Sequence, residues 1–321
     1  MKLMRISLIL LPLLIISRIS AATDLPAIKV AVLATGTVNW ELQHIKNRGL
    51  DHQNGFNLVI EKKASLSATR LAFMSNSSDM MVSDWLWVAD QNNLGNEFKF
   101  IPYSKQIGAI VHANTSQIKS ITDLTGKTIG VAGGPMNKGW LLTQAAAAKK
   151  GIQLTEQAEV QFGAPPLMSQ ALKRGQVDIL ITFWHYAEKL KLQGYVELYS
   201  LSDAMKELGL KSEIPLLGYV VNNQFVIGNN NVVQGFQRAI RQAKDDLKTN
   251  EQYWGALRQS MRFHNEAEFT ALKSGYIDGD PGKINQGQLD TVVNFYYAVD
   301  RYRTNPTGSS LDPGLFLELS E

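Results

Sequence analysis

Apolar and polar positions along the chain follow two alternating rhythms. Short runs rich in β-branched and large apolar residues read as buried strands: Ile28 to Leu33 (IKVAVL), Phe56 to Glu61, Asp79 to Ser83, Phe98 to Pro102 and Ile107 to His112. Between them the spacing becomes helical, over about 39–48 with Gly49 as the stop, over Ser67 to Met74 with Ser65 or Ser67 as the cap, and from Trp85 onward. The rhythm restarts near residue 120, with strands at Thr128 to Val131, Glu159 to Phe162, Val177 to Thr182 and Tyr195 to Tyr199. Helices at about 138–149, 167–173 and 184–191 fall between them. A last strand, Leu216 to Asn222, precedes four helical segments at about 229–249, 251–260, 265–275 and 286–302. This alternation predicts an α/β fold with largely parallel sheets flanked by helices.

The two halves correspond in order and spacing. Trp40 and Trp140 each open the helix after the first strand, Asp79 and Asp178 each open the third strand, and Ser83-Asp84-Trp85 matches Thr182-Phe183-Trp184. The pattern is a weak internal repeat of about 100 residues, and it predicts two doubly wound α/β lobes. The helical tail has no strands of its own and is expected to cover the first lobe. The expected division is 23–110 plus 215–321 for lobe 1 and 111–214 for lobe 2. The chain would cross between lobes near 108–113 and 212–222, and two crossings make a hinge. The segment after Thr304 is expected to dock as an edge piece.

The first residues change the picture. Lys2 and Arg5 precede an apolar run from Ile6 to Ile16, followed by small residues with Ser20 and Ala22 at the −3 and −1 positions. That is the layout of an export signal over residues 1–22. Its loss removes three bases, which takes 32 Lys and Arg to 29 against 29 Asp and Glu. A near-neutral chain gives no electrostatic case for nucleic acid. The absence of cysteine excludes thiol nucleophiles, cysteine zinc sites and a lipidated cysteine after the signal. The five histidines show no paired metal-ligand spacing, so no metal is expected. No G-x-x-x-x-G-K-[ST] loop and no G-x-S-x-G elbow occurs, and no cofactor is expected.

Ligands of open α/β sheets sit beyond the carboxyl ends of the strands, and domain interfaces favour pockets. Two facing lobes would therefore share one cleft. The first lobe offers Thr37, Asn39, Trp40, Ser65, Ser83, Asp84 and Trp85; the second offers Gly133, Gly134, Pro135, Lys138, Trp140, Gly163, Trp184 and His185. Gly133-Gly134 would let backbone amides approach a ligand, with a helix N-terminus and Lys138 behind them, a setting for an anion. Each tryptophan suits either a flat or apolar ligand or the lobe core. Asp84 suits either a ligand donor or a helix N-cap. His185 suits either a ligand or an internal hydrogen bond. The charged run Arg238, Arg241, Lys244, Asp245 and Asp246 reads as a solvated helix face. Asp278-Gly-Asp280-Pro-Gly282 reads as a loop between helices, because Pro281 and Gly282 break the calcium-loop pattern.

Three stretches carry a resemblance: IKVAVLATG from Ile28, Ile121-Thr-Asp-Leu-Thr-Gly-Lys127 running into TIGVAGG, and Leu172-Lys-Arg-Gly-Gln-Val-Asp178. Through them the chain, from about 28 to 250, resembles the type II periplasmic solute-binding proteins of ABC importers, in the nitrate, sulfonate and thiamine-precursor group. One departure stands out: the first-lobe helix usually ends in glycine before its aspartate, and Asn76-Ser77-Ser78 fills that slot here. The resemblance implies a monomeric periplasmic protein of Gram-negative type. Its lobes would close on a small anionic or zwitterionic organic solute, such as a sulfonate, carboxylate or heterocycle, and its partners would be a membrane permease and an ATPase. It implies binding without catalysis. Alternatives are an enzyme on the same fold, related to thiamine-precursor or menaquinone biosynthesis with His185 and Asp84 as acid and base, or a periplasmic sensor or accessory protein.

Overall fold

The computed structural model describes residues 24–106, 108–211, 214–303 and 311–317. The expected export signal, residues 1–22, lies outside the described residues. The strands are β1 (Ala27–Leu33), β2 (Asn57–Lys63), β3 (Met80–Asp84), β4 (Phe98–Ser104), β5 (Ala109–Ala113), β6 (Thr128–Ala132), β7 (Glu159–Gly163), β8 (Ile179–Thr182), β9 (Tyr195–Ser200) and β10 (Leu217–Asn222). They form two five-stranded sheets, ordered β2-β1-β3-β10-β4 and β7-β6-β8-β5-β9. In each sheet the first three strands are parallel, and the strand that arrives from the other lobe, β10 or β5, runs antiparallel to both neighbours. The sheets are therefore mixed, and their topologies are identical.

The repeat read from the sequence has a physical basis. The Asp79 carboxylate accepts from the Lys29 amide at 2.7 Å, and the Asp178 carboxylate accepts from the Thr128 amide at 2.8 Å. Both aspartates pin the start of the third strand to the start of the first. In both lobes an asparagine side chain returns to the end of the first strand: Asn39 Nδ2 donates to the Leu33 carbonyl, and Asn137 Nδ2 to the Ala132 carbonyl. Asn76 has φ 56°, and Gly175, its counterpart in the second lobe, has φ 67°. Asparagine is among the side chains that tolerate the left-handed region best, which explains why it can stand in the glycine slot.

The longer helices are α1 (Val38–Arg48), α2 (Leu66–Met74), α3 (Trp85–Asn93), α4 (Lys138–Lys149), α5 (Pro165–Lys173), α6 (Trp184–Leu192), α7 (Asn230–Thr249), α8 (Glu266–Asp278) and α9 (Gln286–Asp300). The segment expected as one helix over 251–260 forms two short pieces, Gln252–Gly255 and Arg258–Met261. Among the tail helices α7 packs on α1, as expected, whereas α8 packs on α6 and α9 on α4 of the second lobe. The tail thus straddles both lobes, because Val292, Phe295, Tyr296 and Val299 of α9 complete an apolar cluster that holds Trp85 and Trp140 together. Residues 311–317 dock along β4, where the Leu317 amide donates to the Phe100 carbonyl at 2.9 Å.

The first passage between sheets occupies 105–108, slightly earlier than expected, and all of β5 lies in the second sheet. Gly108 has φ 136°, and a Cβ there would fall 2.0 Å from the Thr182 carbonyl oxygen, so only glycine fits this turn. Lys244 departs from the solvated-face reading. It is buried, its ammonium lies 3.0 Å from the equally buried Glu41 carboxylate, and it donates to the Tyr103 carbonyl at 2.9 Å. Glu41 also accepts from the hydroxyls of Tyr219 at 2.6 Å and Tyr276 at 2.8 Å. Burial, then the Glu41 charge, pushes all three hydroxyls of Tyr103, Tyr219 and Tyr276 well above the ordinary tyrosine value, so they remain donors.

Candidate functional site

Strands β1 and β3 of the first sheet and β6 and β8 of the second all end toward one cavity of about 120 Å³ between the lobes. Each strand leads into a helix after no more than five residues, so four helix N-termini converge there: Gly36, Thr37 and Val38 at α1, Ser83 and Asp84 at α3, Asn137, Lys138 and Gly139 at α4, and Phe183, Trp184 and His185 at α6. Unpaired amides at helix starts carry partial positive charge and favour anions. Leu33, Val82, Leu216 and Leu217 supply apolar wall.

The charges are few and close. Asp84 caps α3 by accepting from the Trp87 amide at 3.0 Å, and its other oxygen meets Lys138 across the cleft at 2.8 Å. Arg70 stands 3.8 Å from the same oxygen, with its guanidinium over the Trp87 ring. Burial pushes the Asp84 carboxyl up, but the charges of Lys138 and Arg70 and the hydrogen bonds from Lys138 and the Trp87 amide outweigh it. The group therefore lies below the ordinary value of 3.8. Asp84 is the helix cap that one sequence reading expected, and its side chain also faces the cleft. Thr37 Oγ1 shares a hydrogen bond of 3.2 Å with the Tyr103 hydroxyl.

His185 is only partly exposed, and its Nδ1 is buried without a hydrogen-bond partner. Burial, then the charge of Lys189, lowers the imidazole from 6.5 to about 3, so the ring is neutral near pH 7. No hydrogen bond among the described residues joins it to Asp84, so the acid/base pair considered from the sequence is not assembled.

Of the residues predicted from sequence, Thr37, Ser83, Asp84, Lys138, Trp184 and His185 line this cavity. Trp40, Trp85 and Trp140 are buried in the cores: the Trp85 indole donates to the Pro215 carbonyl at 2.8 Å and packs on Phe295. Trp184 serves two purposes, lining the cavity while its ring packs edge-on against Trp40 of the first lobe, with centroids 6.3 Å apart. Ser65 caps α2 through the Ala68 amide and lies outside the cavity lining. Gly133, Gly134 and Gly163 do not line it either: the Gly133 amide donates to the Gly163 carbonyl at 2.7 Å and extends the pairing of β6 with β7. Pro135 faces a different, outer cleft, and Asn39 a second interlobe cleft. Sequence reasoning missed Arg70, Tyr103, Gln106 and Tyr186, all of which line the cavity. Arg70 stands one helical turn after Leu66, which lines the same cavity, a spacing that could have found it. No group of three or more His, Asp or Glu residues suited to a metal occurs among the described residues, and no described helix is long and apolar enough to cross a membrane.

Comparisons with known proteins agree with this architecture. The family model described as NMT1/THI5 like matches residues 97–252. No curated protein matches the chain by sequence. A protein of solved structure from Bordetella bronchiseptica RB50 superposes with a TM-score of 0.74 at 18% identity, covering 91% of this chain and 94% of that one. The periplasmic aliphatic sulphonate binding protein SsuA from Escherichia coli superposes with a TM-score of 0.66 at 18% identity, covering 88% and 94%. The alkanesulfonate-binding protein SsuA from Xanthomonas axonopodis pv. citri, solved bound to MOPS, gives 0.65 at 16% identity, covering 92% and 99%. A desulfurization enzyme, DSZB, shares the fold at a TM-score of 0.63 and 11% identity, so fold alone does not separate binding from catalysis. With two sheets of one topology around a shared cleft, the chain has the type II periplasmic binding fold, and its residues 97–252 carry the match to the NMT1/THI5 like family.

Proposed function

We propose that this chain is the exported substrate-binding component of an ABC importer and that its lobes enclose a small organic monoanion with an apolar part, of the sulfonate or carboxylate class. The observation that carries the reading is the charge balance of the cavity. Two cations, Arg70 and Lys138, stand against one carboxylate, Asp84, at the meeting point of four helix N-termini, and His185 is neutral. One negative charge on the ligand balances the site, and the apolar wall accepts the rest of the solute. The free His185 Nδ1 supplies a further hydrogen bond. Asp84 is held by Lys138 and the Trp87 amide, which suits a fixed countercharge better than a proton carrier. The export signal read over residues 1–22 and the periplasmic SsuA neighbours support delivery of the solute to a permease and ATPase in the inner membrane.

The test is titration of the mature chain with 1-butanesulfonate, taurine and short carboxylates, followed by tryptophan emission and thermal melting. Binding raises the melting temperature by mass action. Lys138→Met is expected to weaken the bound anion at least tenfold, about 1.4 kcal/mol. A panel with no binder, or a Lys138→Met chain with undiminished affinity, would sink the reading.

A further inference from the structure

A second cleft lies behind the first. It occupies about 660 Å³ between α1 of the first lobe, α6 of the second and the turn before α8. Its charged lining is Lys62, Lys189 and Arg262, and no aspartate or glutamate lines it. None of these three cations forms an ion pair with a carboxylate among the described residues; the Lys189 ammonium instead donates to the Arg262 carbonyl at 2.6 Å. Burial lowers the Lys189 ammonium below its ordinary value of 10.5; the Glu268 charge offsets part of this, and the smaller effect of the Arg262 charge adds to it. Arg262 itself has φ 52° and ψ 52°, a left-handed conformation that L side chains rarely adopt and that costs on the order of 1–3 kcal/mol. It caps the short helix Arg258–Met261, and among the described residues its guanidinium forms no ion pair with a carboxylate.

The two clefts share a wall made of Thr35, Gly36, His185 and Tyr186. The Tyr186 hydroxyl stands beside the Thr35 side chain in this wall. The unpartnered His185 Nδ1 is in this wall, and Asn39, whose buried Oδ1 also lacks a partner, lines the second cleft. We infer that the second cleft is an anion-binding antechamber, in which Lys62, Lys189 and Arg262 hold a small oxyanion on the outer side of the Tyr186 wall before it reaches the inner cavity. The inference draws its ligand class from the proposed function, but its residues are separate from Arg70, Asp84 and Lys138.

The experiment uses the full mature chain with inorganic sulfate as the probe of the antechamber and 1-butanesulfonate as the probe of the cavity. Sulfate at low millimolar concentration is expected to raise the melting temperature beyond sodium chloride of equal ionic strength. Lys189→Met with Arg262→Gly should weaken the sulfate response at least tenfold, whereas Lys138→Met should leave it intact. Arg262→Gly keeps the left-handed turn, since glycine adopts it freely, so the fold is preserved. Lys62→Gln provides a second, surface variant with the same expected direction. A wild-type chain that treats sulfate like chloride, or cleft variants that respond like the wild type, would overturn the inference. Failure of butanesulfonate to bind, with the sulfate response still dependent on Lys189 and Arg262, would remove the proposed function and leave the antechamber standing.

Discussion

Behind the cavity, Glu41 and Lys244 form an ion pair that water does not reach, and its removal has a calculable consequence. Glu41 is 0% exposed and Lys244 6%. Lys244→Met leaves the carboxylate with only the Tyr219 and Tyr276 hydroxyls, so a buried charge loses its compensation at a cost of about 3–5 kcal/mol. Glu41→Gln strands the ammonium in the same way, although its contacts over the Tyr103 and Tyr276 rings, at 4.7 and 5.3 Å, soften the loss. The double variant restores neutrality, and the glutamine amide still serves both tyrosines, so the two losses should not add. We expect each single variant to melt lower by roughly 6–10 °C, at about 2 °C per kcal/mol, and the double variant to recover about half of that. The assay is a double-mutant cycle by thermal and urea unfolding of the ligand-free chain. Strictly additive single effects below about 1 kcal/mol each would refute the idea that the pair acts as a unit. Because Lys244 also holds the Tyr103 carbonyl and Tyr103 holds Thr37, the same variants should weaken ligand binding without touching the ligand.

Two further outcomes can be checked. The His185 imidazole is lowered to about 3 in the folded chain from 6.5, so its contribution is fully present above pH 6.5 and declines as pH falls toward 3. At pH 5 the loss is about 2 kcal/mol, and melting curves of wild type and His185→Gln between pH 7.5 and 5 should converge; parallel curves would contradict it. Asn76→Gly, at φ 56°, should stabilise the chain by about 0.5–1 kcal/mol in urea unfolding, since glycine removes the left-handed penalty; a loss of stability would mean that the asparagine side chain contributes more than its backbone costs.

Most of the architecture was legible because it is local and repeated. The alternation of strand and helix spacing predicts both sheets, and Asp79 with Asp178 marks the same strand latch in each lobe. The antiparallel run of β5 and β10 was not legible, since it depends on how the chain returns after each crossing. Of the cleft residues, Ser83, Asp84, Lys138 and His185 could be found because they stand at strand ends or at the start of the helix that follows. The tryptophans misled in part: a large ring at a strand end can turn toward the ligand or down into the core, and sequence spacing is the same for both. Trp85 and Trp140 turn inward because the Pro215 carbonyl and the α9 aromatics receive them. Lys244 was misread because its partner, Glu41, lies in the first helix of the chain, and no local pattern links the two. Tyr103 was missed because it lies at the end of β4, beyond Pro102 where the strand read from the sequence stops, and Gln106 because it belongs to the passage between lobes, where periodicity stops.

The seating of Trp184 sets the direction in which the molecule can open. Its indole, from the second lobe, rests in the apolar cluster of the first, against Trp40 and over Gly275, where a Cβ would come within 2.4 Å of the ring. Withdrawing such a side chain into water costs on the order of 2–3 kcal/mol, whereas parting the buried pair of Lys138 and Asp84 returns both charges to water, so the hydration regained offsets much of the lost attraction. Separation therefore starts at the lysine edge and swings about the tryptophan, which acts as a fulcrum. On the proposed function a solute would leave by a jaw that gapes on one side, and a nitroxide pair across the Lys138 edge should report a far larger excursion than one beside Gly275.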